Sequence, residues 1–501
     1  MPARTSAATT DSEKPGAIVP QLTHLAVLLA TLSIWLIGVR APLWVDETLA
    51  YWQISGGFWK IWTRSGQMPS SFSFLYILWL AKTFLGSQEI ALRLPSVLAM
   101  AGAAYFLFRT AQELFGRELA FISCIVFCLH AGIVFAATEA RPYAFALFMT
   151  NCATFALIRW TATNGMRSAV WFGAAAAGIL YFQYLFGAIL PAFALYYLAV
   201  RGRSLRVDGA QIATMMFSFA LVSLPQAKRF LQLFQSRHMH IFAGDPHWSV
   251  LRQTLVPCTL LLTFCGTLVL AIVHRKLRFS GRDWSLAVLL CPLFGLLPMA
   301  ILYGISAATP VHVFIPRYCL VAVPGAALTW GLLIGCIDSH PLRKFCCVSF
   351  VVMILFQYLT VPLFRHQELS FKQAHEFVNT NVAKDKVPVV VCSAFVESNF
   401  EPLPTDLTSE NALVSQFSYY PVHAPVILLP FSLNDEAKHV GALAIAAAMQ
   451  RHERFLAVAS SRSYDTLLWL ASYSKGAFKA HRLANFEETV VVEFLPPPAG
   501  N

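Results

Sequence analysis

Long apolar runs separated by short polar ones fill the chain from residue 22 to residue 363. Runs long enough to cross a bilayer as helices fall at 22–39, 92–112, 118–136, 141–160, 168–184, 186–200, 209–225, 253–273, 284–306, 317–337 and 344–363, about eleven in all. The two runs within 168–200 are each short for a span. Between the first and second runs, residues 40–91 hold "FWKIW" and "SFSFLYILWLAKTFLG", amphipathic and rich in aromatics. That texture predicts helices lying along the membrane interface. Reading 72–86 as a further span would invert every later loop. From Leu369 the pattern changes: a helical "LSFKQAHEFVNTNVA" precedes strand-like 387–393 and 424–430, a helix over 434–451, a strand over 454–460, a helix over 465–474 and strands over 478–484 and 488–495. Strands alternating with helices predict a small α/β domain. It carries no Gly-rich phosphate loop and no nucleophile elbow, and no internal repeat points to a transporter built of inverted halves.

Composition confirms the membrane reading. The chain is 57% hydrophobic and 13% charged, against about 25% charged in soluble domains. The formal charge of +11 resides in short clusters, "RGRSLR" (201–206), "HRKLRFSGR" (274–282) and "RK" (343–344), with Arg117, Arg159 and Arg167. This is the positive-inside pattern rather than a nucleic-acid surface. It predicts a cytoplasmic N-terminal tail (1–21) leading into an uncleaved first span, and a transmembrane domain over 22–363. Loops 40–91, 137–140, 226–252 and 307–316, and an α/β domain over 364–501, then face outward. The eleven cysteines show no CxxC spacing and, Cys392 apart, lie in or beside apolar runs, as small buried hydrophobes do.

Three stretches on the expected outer face carry candidate chemistry. "LWVDETLAYW" (43–52) sets Asp46 beside Glu47. Neighbours on a helix point about 100° apart, so one acid faces a site while the other supports it or binds a cation. An acid desolvated by aromatic and lipid surface has a raised pKa suited to general-base duty; the plainer alternative is a helix start favouring acids. In "TEARPYAFALF" (138–148), Arg141 near a helix start makes an anion site, unless Glu139 and Arg141 form a snorkelling surface pair. In "IPRYCLVAVPG" (315–325), Arg317 lies against the positive-inside trend and asks for a partner such as phosphate. The 226–252 loop holds Lys228, Arg229, Arg237, His238, His240, Asp245 and His247, which fit no zinc spacing; a solvated lid or an acceptor contact is the reading there.

Taken in order, "LWVDETLAYW", "FLYILWLAKTFLGSQEIALRLPSVLA" (74–99), "ELFGRELA" (113–120), "TEARPYAFALF" and "IPRYCLVAVPG" resemble the polyprenyl-phosphate-dependent membrane glycosyltransferases of the GT-C superfamily. These are the relatives of protein O-mannosyltransferases and of the aminoarabinose transferase acting on lipid A. The resemblance is strong over 22–160, returns near 317 and is weak in the α/β domain. It implies an α-helical GT-C fold in a bacterial inner membrane with an outward-facing site. It also implies a sugar donor on undecaprenyl phosphate or a similar lipid, inversion at the anomeric carbon, and a cell-envelope acceptor (lipid A, glycan, protein or lipid). By the same resemblance Asp46 is the base, Glu47 its companion and Arg141 a candidate for the donor phosphate region; Arg317 joins it by its position at a span start on the outer face, with Tyr143 and Tyr318 beside the two arginines. A divalent cation bridging Glu47 and the phosphate has a place in such a scheme, with no second ligand legible. Family members often carry a His-Pro-Pro-Leu-like stretch in the first outer loop; here "SGQMPSSFSFLY" (65–76) has no histidine, implying altered specificity or activity. A flippase for lipid-linked sugars and a non-catalytic binder are the competing classes; a flippase would want ionisable groups at mid-membrane.

Overall fold

In lipid every backbone N–H and C=O must be paired within the chain, so apolar runs of span length fold as helices. The computed structural model describes residues 31, 33–67, 71–202, 208–228, 231, 245–277, 286–360, 371–381, 386–404, 406–408, 410–486 and 489–496. Most of the expected first span, the N-terminal tail, His238 and His240 lie outside these. Among the described residues, four helices are long and apolar enough to cross a membrane, or up to six if bent pairs count as single spans. Shorter apolar helices, including Met166–Phe182 and Leu293–Ala308, pack beside them. The runs expected at 118–136 and 253–273 are the bent pairs. Arg117–Cys128 meets Ala131–Ala137 at 70°, and Trp248–Leu255 meets Cys258–Val273 at 58°. At the first break His130 leaves the helix and accepts a hydrogen bond from the Gly132 N–H. At the second, Pro257 has no N–H to continue the ladder. Phe72–Leu85 is a separate 14-residue helix in the first loop, following Lys60–Gln67. Helices cross closely where small residues meet: a Cβ on Gly325 would run into the backbone of Gly295.

The two ends of the bundle differ in chemistry. At one end Glu118 pairs with His340 and Arg343, Glu113 pairs with Arg159, Arg201 donates to the Trp160 carbonyl, and Lys276 meets Asp338 through the backbone. The described basic residues Arg159, Arg201, Lys276 and Arg343 therefore share an end. The other end carries the Val45–Ser55 helix, the 138–142 turn and Arg317, and it is capped by the α/β unit.

That unit is a five-stranded sheet of β1 (Val389–Cys392), β2 (Val426–Leu429), β3 (Phe455–Ser460), β4 (Lys479–Phe486) and β5 (Thr489–Leu495), in the order β2-β1-β3-β5-β4. β1 runs parallel to β2 and β3, and β5 antiparallel to β3 and β4. All four residues of β1 are buried, which is why "VVVC" reads as an unbroken apolar run. The sheet does not hang free. Val45, Leu49 and Trp52 from the first loop share a core with Phe371, Phe395, Val414 and Phe417. Polar contacts fasten the same seam: Leu43 N–H to the Tyr420 hydroxyl (2.8 Å), Tyr419 hydroxyl to the Ser87 carbonyl (2.7 Å), Lys372 to Glu89 (2.9 Å) and Arg64 to Glu410 (2.8 Å).

His375 lies inside this unit, its ring 5.4 Å from Phe417 and its Nδ1 2.7 Å from the Tyr420 carbonyl. Burial pushes its pKa down from 6.5 to about 4, against the smaller upward pull of that carbonyl. A depressed folded pKa means stability that is complete above the unfolded value and lost as pH falls from 6.5 towards 4, by at most about 3 kcal/mol. His375→Phe, which keeps the stack, should flatten the fall of the thermal midpoint across that window. An unchanged pH profile would remove His375 as the cause.

Candidate functional site

Asp46 and Glu47 sit in the first turn of the Val45–Ser55 helix, and the structure uses them differently. Glu47 turns inward. Its carboxylate accepts from Arg93 Nε (2.8 Å) and the Ala140 N–H (2.7 Å) on one oxygen, and from Arg93 Nη2 and the Trp44 N–H (3.2 Å) on the other. Both side chains of this ion pair are fully buried. Arg93 completes its set on backbone carbonyls: Val39 (3.1 Å), Ala41 and Pro42 (2.9 Å). Five guanidinium N–H groups thus make five hydrogen bonds. All four acceptor sites of Glu47 are filled by the protein. It ties the first loop to the helix Glu89–Phe115 and to the 138–142 turn.

Asp46 faces the other way and stays partly open, with 22% of its side chain exposed. Its Oδ2 lies 3.3 Å from Arg141 Nη2 and 3.1 Å from Arg317 Nη1. Arg141 also donates to the Asp46 backbone carbonyl at 3.2 Å. Three separate stretches, up to 271 residues apart in sequence, therefore meet on one carboxylate oxygen. The sequence expectation of an acid desolvated by aromatic and lipid surface does not hold here, because Asp46 is surrounded by paired charge. Nor do Glu139 and Arg141 form a snorkelling surface pair. Glu139 is fully buried, and its charge acts on both arginines from beneath.

The tyrosines follow. Arg317 lies over the Tyr318 ring, 5.4 Å from its centre, and Tyr143, 2% exposed, is near enough for its hydroxyl to interact with both arginines. His247 serves locally: its Nδ1 accepts from the Ser249 N–H and lies 2.8 Å from the Ser249 hydroxyl, capping Trp248–Leu255. That helix packs against the Pro316–Cys319 turn bearing Arg317. Asp245 is exposed just ahead of it.

Two participants escaped the sequence reading. Arg93 stood in plain view as one of two cations, with Arg109, inside a 27-residue apolar helix, a signal in itself. Glu397, from the turn after β1, left no comparable trace; its charge interacts with Arg317 and with Asp46, the latter more than 300 residues earlier in the chain.

A bundle of apolar helices, several long enough to cross a membrane, capped at one end by an α/β unit, is the fold that comparison with solved structures finds in a membrane glycosyltransferase. Residues 70–225 match the family model described as dolichyl-phosphate-mannose-protein mannosyltransferase. The fold is shared with ArnT from Cupriavidus metallidurans, solved bound to undecaprenyl phosphate and in the apo state. Each has a TM-score of 0.54 at 12% identity over 95% of this chain and 98% of that one. The archaeal oligosaccharyltransferase AglB from Archaeoglobus fulgidus, in complex with an inhibitory peptide and a dolichol-phosphate, gives a TM-score of 0.45 at 9% identity, covering 96% of this chain and 75% of that one. No curated protein matches the sequence. The resemblance to polyprenyl-phosphate-dependent GT-C glycosyltransferases, first read from a handful of motifs, is borne out.

Proposed function

We propose that the protein moves a sugar from a polyprenyl-phosphate donor, of the undecaprenyl-phosphate type, to a cell-envelope acceptor at the outer face of a bacterial inner membrane. The observation that carries this reading is the meeting of Asp46 with Arg141 and Arg317 at the capped end of the bundle. The same fold holds undecaprenyl phosphate in ArnT. The basic loops gathered at the opposite end support an outward-facing site.

In this mechanism Arg141 and Arg317 leave Asp46 for the donor phosphate, since guanidinium forks match phosphate oxygens. Tyr143 and Tyr318 flank it. Asp46, released by that exchange, takes the proton of the acceptor. The acceptor oxygen attacks the anomeric carbon as its bond to the phosphate oxygen breaks, with inversion. The phosphate departs as an anion held by the arginines and needs no protonation. Base and phosphate site are thereby coupled: the base is uncovered when a donor arrives. The helix Trp248–Leu255, carrying His247 and packed on the Arg317 turn, forms the near edge of a lid in this scheme.

The test is purified protein in lipid, given a panel of polyprenyl-phosphate sugars with a cell-envelope extract as acceptor, following free polyprenyl phosphate. Release from one donor and not from its neighbours in the panel is the expected result, and it names the sugar. No release from any donor would sink the transferase reading.

A further inference from the structure

The sheet of the α/β unit places its ligand-prone edge against the site. From β1 the chain crosses to β2 on one side and then to β3 on the other. In open α/β sheets, ligands bind beyond the carboxyl ends of parallel strands where the crossovers diverge in this way. The turn leaving β1 is held firmly. The Ala394 N–H donates to Gln416 Oε1 (3.3 Å), the Phe395 N–H to the Ser393 hydroxyl (3.2 Å), the Ser398 hydroxyl to the Phe395 carbonyl (2.6 Å) and the Phe431 N–H to the Ser398 hydroxyl (2.8 Å). Phe395, 4% exposed, belongs to the core that also contains Val45, Leu49 and Trp52. The helix bearing Asp46 and the turn bearing Glu397 are therefore two sides of one packed seam.

Glu397 is the acid this seam leaves unspent. It is half-buried and makes no ion pair among the described residues. Asp46 of the first-loop helix, Arg317 of the bundle and Glu401 of its own stretch are the charges acting on it. Burial pushes its carboxyl above the ordinary range; Asp46 and Glu401 add to that, while Arg317 and its own backbone N–H oppose it.

We propose that Glu397 is the acceptor-side carboxylate of this site. It accepts a hydrogen bond from the acceptor body and so sets the reacting hydroxyl towards Asp46, which takes its proton; the acceptor lies over the carboxyl end of β1, beside the first turn of the Val45–Ser55 helix. This rests on the transferase reading and narrows it. A phosphate acceptor entering there would meet Asp46, Glu397 and Glu401 together, and juxtaposed like charges are strongly disfavoured. The acceptor is accordingly a hydroxyl on an uncharged or cationic body.

Two measurements test this. The first is binding of undecaprenyl phosphate to the full chain as wild type, Glu397→Gln, and Glu436→Gln, the last an exposed acid on the far helix Asp435–Arg451. Removing a negative charge beside Arg317 should tighten binding by about two- to fivefold in Glu397→Gln and leave Glu436→Gln at wild type. Equal affinity in all three places Glu397 outside the site and overturns the proposal. The second titrates the envelope extract in the release assay. Glu397→Gln should raise the half-saturating amount of extract at least about tenfold, the cost of one lost hydrogen bond to a charged group, with the half-saturating donor concentration little changed. Glu397→Asp should recover part of the loss. A fall in maximal rate with unchanged extract saturation overturns the acceptor role. If wild type releases nothing, the transferase reading is what fails, and the binding measurement still decides whether Glu397 belongs to the site.

Discussion

Asp46→Asn is expected to cut polyprenyl-phosphate release by about 10²–10⁴-fold, the usual worth of a general base, while tightening the hold on undecaprenyl phosphate. The two effects have one cause. A single Asp46 oxygen engages both Arg141 and Arg317, so an incoming phosphate must compete with it. An amide carries no charge and competes poorly. The gain should be about fivefold, equivalent to the ~1 kcal/mol of a partly exposed ion pair. A merely structural aspartate would lose turnover and lipid binding together. Binding and turnover measured on the same preparation separate the cases: weaker binding in Asp46→Asn removes the exchange of arginines, and unchanged turnover removes Asp46 as the base. Arg141→Ala and Arg317→Ala should move the other way, losing donor binding as well as rate.

Arg93→Ala should be the most destabilising single change in the chain. Truncating it strands the Glu47 carboxylate in a fully buried position, a loss of about 3–5 kcal/mol for one partner of a buried pair, and frees the carbonyls of Val39, Ala41 and Pro42 as well. Arg93→Lys should fare little better, because an ammonium has three donors and no planar fork. The damage reaches the site. Glu47 holds the Ala140 N–H, one residue before Arg141, and sits one residue after Asp46. The expected result is a large drop in the thermal midpoint of the detergent-solubilised protein, with loss of undecaprenyl phosphate binding. A wild-type midpoint in Arg93→Ala would show that the buried pair is not what holds the first loop.

The pair Asp46-Glu47 shows how far local reasoning reaches. Helix geometry alone requires adjacent acids to diverge, one towards a site and one away from it. Which is which depended on what surrounds them. Glu47 meets Arg93 from one helix and Ala140 from a turn 93 residues on; Asp46 meets Arg141 and Arg317. No local pattern encodes those pairings. The same holds for the broken helices. Apolar content over 118–136 and 253–273 marks membrane-embedded helix, while the 70° and 58° bends arise where His130 and Pro257 redirect the backbone hydrogen bonds.

By itself the sequence determined the apolar helices, the end at which the basic loops gather, the alternation of strands and helices after residue 371, and the stretches that carry the site. Each of these follows from short-range physics: the need to pair backbone in lipid, the two- and 3.6-residue periodicities, and the distribution of lysine and arginine. Only the tertiary structure decided that Arg141 and Arg317 share one oxygen of Asp46, that Arg93 anchors Glu47, and that the α/β unit packs its β1 turn against the helix bearing Asp46. Those contacts span from 46 to more than 300 residues of chain. They are selected by burial, which leaves a charge no option but to find its counter-charge, and burial is a property of the packed whole.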